Sequence, residues 1–195
     1  MNFLAHIVLS GDNPKVMVGN FIGDFVKGRN LLEQFEPDIA KGIQLHRAID
    51  EFTDSHPVVA QSKNRLRPTY RHYSSVIVDM YYDHLLASNW VDYHSEPLET
   101  FAEQTYRTIL SHHDILPEQV RYMMDYMTRG NWLLNYARLE GIERALTGMA
   151  RRSRHGAQME FAVNDLRADY ELYLHEFAEF FPELQQYAKN WLSLT

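Results

Sequence analysis

Near the end of the chain Val163, Leu166, Tyr170, Tyr173, Leu174, Phe177 and Phe181 recur at intervals of three or four residues. That is the period of one helix face, and it predicts an amphipathic helix over 158–180. Pro182 is expected to end it, leaving a short terminal helix over 187–192. The same period and the same punctuation divide the rest of the chain. An apolar segment at 3–9 precedes a turn through Ser10, Gly11, Asp12 and Asn13, where Asp12 or Asn13 can cap a helix carrying Pro14 in its first turn and running to about residue 26. A helix over 39–54 ends at His56-Pro57, because the residue before proline disfavours the helical region. Helices follow over 58–66, broken at Pro68, and over 73–90, 97–110, 117–128 and 138–150. β-Branched runs such as Val76, Ile77 and Val78 lie inside helical periodicity, and nothing reads as a strand pair. The pattern therefore predicts an all-α chain, one domain over 1–195, without a repeat or a linker.

Four polar groups interrupt this apolar pattern. His6 sits beside Phe3, Leu4 and Ile7, and Asp24 between Ile22 and Phe25. His46, Asp50 and Asp54 follow one another at intervals of four and share one side of a helix, while Asp79, Asp83 and His84 lie in the aromatic stretch 73–90. Carboxylates and imidazoles in apolar surroundings are costly to bury unless something pairs them, and a divalent cation held across several helices is one general answer. Mixed oxygen and imidazole donors suit Mn²⁺, Fe²⁺ or Zn²⁺, with Mg²⁺ less favoured by imidazole. Such a cation lowers the pKa of water from about 15.7 towards about 7 and neutralises phosphoryl charge. Each group also has a plain structural reading. His6 can be a satisfied core histidine, an isolated His/Asp pair a surface pair, and Asp54 with His56 a helix end.

Composition narrows the choice. A net charge of −7 argues against general nucleic-acid binding. The absence of cysteine removes disulfides, thiolate zinc sites and thiol nucleophiles. No apolar run is long enough for a transmembrane helix, and the first residues lack the basic and apolar regions of a signal peptide, so a cytoplasmic protein with no membrane partner is expected. Against the acidic background, Lys63, Arg65, Arg67 and Arg71 occur with no acid between residues 61 and 72, and Arg144, Arg151, Arg152 and Arg154 form a second cluster. Segregation of this kind suits either an ordinary solvated face or the steering of an acidic partner.

Several blocks, in order, carry a family resemblance: Met1-Asn2-Phe3-Leu4-Ala5-His6, Gly19-Asn20-Phe21-Ile22-Gly23-Asp24-Phe25-Val26-Lys27-Gly28, Gly42-Ile43-Gln44-Leu45-His46-Arg47-Ala48-Ile49-Asp50, Phe52-Thr53-Asp54-Ser55-His56-Pro57 and Asp79-Met80-Tyr81-Tyr82-Asp83-His84-Leu85-Leu86-Ala87. Together they resemble the motifs of the acyl carrier protein phosphodiesterases over residues 1 to about 90. The resemblance implies a helical fold distantly related to the HD-domain phosphohydrolases in a rearranged form. It also implies a divalent cation, typically Mn²⁺, and hydrolysis of the diester that joins 4′-phosphopantetheine to a serine of acyl carrier protein, a step of lipid metabolism. Asp83-His84 reverses the His-Asp order of the HD superfamily.

On this reading Asp24, His46, Asp50, Asp79 and Asp83 are the expected metal residues. Asp24 is expected to be essential, His6 or His84 to protonate the leaving serine oxygen, and Arg47 to hold a phosphate oxygen. Acyl carrier proteins are acidic, so Lys63, Arg65, Arg67, Arg71, Arg151 and Arg152 are expected to meet the partner. Two other readings compete: a metal phosphohydrolase of a small nucleotide, and a non-catalytic helical binding module.

Overall fold

A computed structural model describes residues 1–153 and 158–194. Arg154 and His155 lie outside the described residues. Among those described, the regular structure is helical and no strand occurs. The first helices are α1 (Phe3–Val8), α2 (Pro14–Ile22), α3 (Pro37–Ser55), α4 (Pro57–Tyr70), α5 (Ser74–Ser88) and α6 (Leu98–Ser111). They are followed by α7 (Glu118–Arg129), α8 (Trp132–Asn135), α9 (Leu139–Arg152), α10 (Ala162–Ala168) and α11 (Tyr170–Leu194).

The all-α expectation stands, and its boundaries change in three places. The helix expected over 158–180 is a 3₁₀ turn at Met159–Phe161, then α10, then the start of α11. Pro182 does not stop α11, and Pro68 does not break α4. Proline removes one backbone hydrogen bond and crowds the preceding turn. In α11 the buried Phe177, Phe180, Phe181 and Leu184 hold the flanking turns against the core regardless, as expected where packing rather than propensity carries a helix. The four-residue α8 carries too few positions for a sequence period to reveal it.

Helix α5 lies at the centre and packs on α1, α4, α9 and α11. Eleven of its fifteen residues are buried, so it is apolar and aromatic around most of its circumference, with Asp79, Asp83 and His84 as the interruptions. One hydrophobic cluster takes in residues from every helix between α1 and α11.

The α2–α3 pair fixes the geometry that matters most. Asn13 Oδ1 accepts from the Lys15 and Val16 N–H groups at 3.0 and 3.4 Å, and Pro14 fills the first turn, so α2 begins where the sequence predicts. The two helices then meet through glycine. A Cβ on Gly19 would lie 2.1 Å from the Ile39 carbonyl oxygen, and one on Gly42 2.1 Å from the Val16 carbonyl oxygen. Backbone cannot retreat as a flexible side chain can, so Gly42→Ala must push the helices apart. Alanine gains about 1 kcal/mol in helix propensity, while overpacking a tight contact costs about 3 kcal/mol or more. Gly42→Ala is expected to lower the free energy of unfolding in urea by a net of about 2 kcal/mol; an unchanged midpoint would show that the crossing is looser than described.

Candidate functional site

Close contact of α2 with α3 sets one residue, Asn20, against two histidines. His46 Nδ1 lies 2.8 Å from the Asn20 carbonyl oxygen, and His6 Nδ1 lies 2.9 Å from Asn20 Oδ1. A carbonyl can only accept, so His46 Nδ1 carries a proton. Asn20 Nδ2 donates to the His6 carbonyl at 2.7 Å and to Ser10 Oγ at 2.9 Å, which leaves Oδ1 as the group facing His6 and puts a proton on His6 Nδ1 as well. Both imidazoles thus turn Nε2 the same way. Their rings stack with centroids 4.0 Å apart and an interplanar angle of 18°.

Both Nε2 atoms point to Asp50. His6 Nε2 is 3.2 Å from Asp50 Oδ1, and His46 Nε2 is 3.2 Å from Asp50 Oδ2 and 3.1 Å from Asp24 Oδ1. The His6–Asp50 approach lacks hydrogen-bond geometry, although His6 Nε2 is sealed from solvent. Burial holds the His6 pKa below its ordinary value, and the neighbouring His46 adds to this. Neutral His6 therefore aims a lone pair at a carboxylate oxygen, an arrangement of two electron donors with nothing shared between them. His46 differs. Burial alone would lower its pKa, but the contacts with Asp24 and Asp50 outweigh burial and raise it to about 9. Burial would likewise raise Asp50, yet the contact with protonated His46 holds it well below the usual carboxylate range. The hydrogen bond from His46 lowers Asp24 in the same direction.

The donor atoms of His6, His46 and Asp50 lie within 4.8 Å of one another, a span that one cation can bridge. Gly23 makes room for this arrangement, since a Cβ there would lie 2.3 Å from His46 Cγ. Asp50 and Asp24 also line a cleft of about 290 Å³, together with Asp54, Asp79, His72 and Tyr73. Asp79 Oδ1 accepts from the Met1 amino nitrogen at 3.1 Å. The residues fit a divalent cation on three counts: imidazoles fixed by their other nitrogen, a carboxylate between them, and a buried ring nitrogen without a hydrogen bond.

The comparisons with known proteins agree over the whole chain. The family model for acyl carrier protein phosphodiesterase matches residues 1–184. A protein of that name from Photorhabdus laumondii is 33% identical over 193 residues, covering 97% of this chain and 96% of its own. One from Serratia proteamaculans is 31% identical over 191 residues, with 97% and 98% covered. The chain belongs to the acyl carrier protein phosphodiesterase family. Its relatives by name are therefore phosphodiester hydrolases, and the motif blocks seen in the first half extend to a match that includes the second. No solved structure matches the chain. No described helix is long and apolar enough to cross a membrane.

Among the family motifs, the structure brings His6, Asp24, His46 and Asp50 to one point and sets Asp79 on the cleft wall. Three expected residues stand elsewhere. Asp83 is fully buried behind the cluster, where Oδ2 accepts from the Leu4 N–H at 2.7 Å and Oδ1 from the Ala5 N–H at 3.2 Å. It caps α1, whose preceding residue Asn2 makes no side-chain cap. His84 Nδ1 donates to the Tyr136 carbonyl at 2.7 Å, and its ring meets Tyr170 edge-on, away from the cleft. Arg47 donates to the Val26 and Gly28 carbonyls at 3.2 and 3.0 Å and so clamps the loop after Asp24. Sequence reasoning named the block that holds Asn20 but gave that residue no role. An amide side chain between the apolar Val18 and Phe21 was the available signal. His72 and Tyr73, which line the cleft, gave no signal in the sequence pattern.

Proposed function

We propose that the protein is a metal-dependent phosphodiesterase that releases 4′-phosphopantetheine from holo-acyl carrier protein. The observation that carries this reading is the convergence of His6 Nε2 and His46 Nε2 on Asp50, which lines the cleft, with each Nδ1 held by Asn20. His6, His46 and Asp50 would hold the cation, with Asp24 beside them. Imidazole among the donors favours Mn²⁺, Fe²⁺ or Zn²⁺ over Mg²⁺. When bound, the cation lowers the pKa of water and neutralises phosphoryl charge. The Asp24 side chain is 69% exposed towards the cleft, where it can take a proton from the attacking water. Water adds to phosphorus as the phosphorus–serine oxygen bond breaks, and the serine oxygen takes up a proton. His72 is the imidazole on the cleft wall and the one placed to supply it. The products are apo-acyl carrier protein and 4′-phosphopantetheine.

The test is conversion of holo-carrier protein followed by intact mass, with Mn²⁺ and with excess chelator. Chelation is expected to lower turnover about 100-fold or more, and added Mn²⁺ to restore it. No metal-dependent loss of the arm, or an Asp24→Ala variant as active as wild type, would sink the reading. Proton linkage adds a second expectation. Without a cation His46 keeps its proton below about pH 9, and a cation must displace it. Cation affinity should therefore strengthen with rising pH up to about 9, by about tenfold per unit where one proton is released. Calorimetry in buffers of different ionisation enthalpy would count that proton.

A further inference from the structure

The cations on the surface fall into two kinds. Lys63 Nζ lies 2.6 Å from Asp54 Oδ1. Arg65 forks onto Glu176, with Nη2 2.6 Å from Oε1 and Nη1 3.0 Å from Oε2, and its guanidinium sits 4.7 Å from the centre of the Tyr173 ring. These two charges are neutralised inside the fold. Arg67 reaches only the neutral Asn64 Oδ1, and Arg71, Arg151 and Arg152 are exposed and make no ion pair among the described residues.

The unpaired cations come from two stretches about eighty positions apart in sequence, yet one contact joins them. The Tyr73 hydroxyl meets Ser153 Oγ, tying the 3₁₀ turn Arg71–Tyr73 to the end of α9. In that turn His72 and Tyr73 line the cleft that holds Asp24 and Asp50, and Arg71 directly precedes them. Arg151 and Arg152 directly precede Ser153. Arg71 itself stands at φ 51, in the left-handed region, where the chain turns between α4 and α5. Arginines thus adjoin in sequence both partners of the Tyr73–Ser153 contact, beside a cleft lined by the carboxylates of Asp24, Asp50, Asp54 and Asp79, on a chain with a net charge of −7.

We propose that Arg71, Arg151 and Arg152, with Arg67 beside them, form one docking surface for the acidic face of the carrier protein, while Lys63 and Arg65 serve the fold. This rests on the function proposed above. A phosphodiester carried on a protein reaches the cleft only if that protein seats at its rim, and an acidic partner finds unpaired positive charge there. Charge complementarity of this kind acts on encounter and on KM more than on the chemical step.

The test uses the full-length protein loaded with Mn²⁺ and two substrates, holo-carrier protein and bis(p-nitrophenyl) phosphate. The variants are Arg71→Glu, the double change Arg151→Glu with Arg152→Glu, and Arg121→Glu as an exposed control on α7. At low ionic strength the first two are expected to lose about tenfold or more in kcat/KM on the carrier protein, mainly through KM. Their turnover of the small diester should stay within about twofold of wild type, and so should Arg121→Glu on both substrates. In the wild type, added salt should lower kcat/KM on the carrier protein, and the rim variants should show a flatter dependence. Rim variants that keep wild-type kcat/KM and salt dependence on the carrier protein would overturn the docking surface while leaving the proposed reaction intact. A wild type that turns over the small diester but never the carrier protein would overturn both. Equal losses on the two substrates would also overturn the surface, since damage to the site rather than to docking produces that result.

Discussion

Replacing Asp50 with alanine is expected to lower turnover of holo-carrier protein by about 10³-fold or more. Asp50 is the carboxylate in contact with both imidazoles, through Oδ1 to His6 and Oδ2 to His46. Without it the two rings remain oriented by Asn20, but the charge that balances a cation between them is gone. Charge stabilisation by a bound cation is worth several kcal/mol in a transition state, and about 4 kcal/mol corresponds to about 10³ in rate. The same variant should bind Mn²⁺ far more weakly by calorimetry. Stability tells a second part of the story. In the cation-free protein Asp50 is held well below the usual carboxylate range, foremost by His46, so the wild type gains stability from this ion pair that Asp50→Ala forfeits. A non-catalytic helical module predicts the stability loss alone, with no Mn²⁺ binding in the wild type to lose. Measuring cation affinity and thermal unfolding on the same two proteins separates the readings.

Much of this arrangement could be read from the sequence, for physical reasons that differ by residue. The spacing of four between His46 and Asp50 places both on one helix face, and they meet. Asp24 was marked by its apolar neighbours, and it reaches His46 because the α2–α3 crossing is tight enough to carry the following 3₁₀ turn to the middle of α3. His6 was visible as a polar residue in an apolar segment, but its partners depend on how α1 folds back over α2, which no local period encodes. Asp79 and Asp83 show the limit of the same rule. Spacing says that the two point to one side of α5. It does not say that the N-terminal turn of α1 lies under Asp83 while the cleft lies under Asp79. The basic clusters show it again. Lys63 and Arg65 are indistinguishable in sequence from Arg67 and Arg71, and only the placement of Asp54 and Glu176 sorts the paired from the unpaired.

Asp83→Ala supplies the sharpest test of that division between cleft and core. The carboxylate is completely buried and accepts from two backbone N–H groups at the start of α1. Alanine leaves both donors without a partner in a place that water does not reach. An unmet buried donor costs about 1–3 kcal/mol, so the variant is expected to lose about 3 kcal/mol near pH 5 and to melt about 6–12 °C lower. The pH dependence has a definite sign. Burial raises the Asp83 pKa to about 7, with the Leu4 and Ala5 N–H groups and the amino nitrogen of Met1 opposing the rise. The folded protein therefore holds a proton on Asp83 that the unfolded chain, with an ordinary carboxylate, releases above about pH 4. Stability from this group is complete below that pH and declines as the pH rises through about 7. The gap between wild type and Asp83→Ala should accordingly be wider at pH 5 than at pH 8. Cation stoichiometry should not change, because His6, His46 and Asp50 are untouched, although affinity should weaken as α1 loosens its hold on His6. An Asp83 that ligates the cation directly gives the opposite pattern: loss of bound Mn²⁺, and unfolding of the cation-free variant at the wild-type temperature. Since α1 carries His6 into the cluster, the cap couples the stability of six residues, Phe3–Val8, to the geometry of the proposed metal centre.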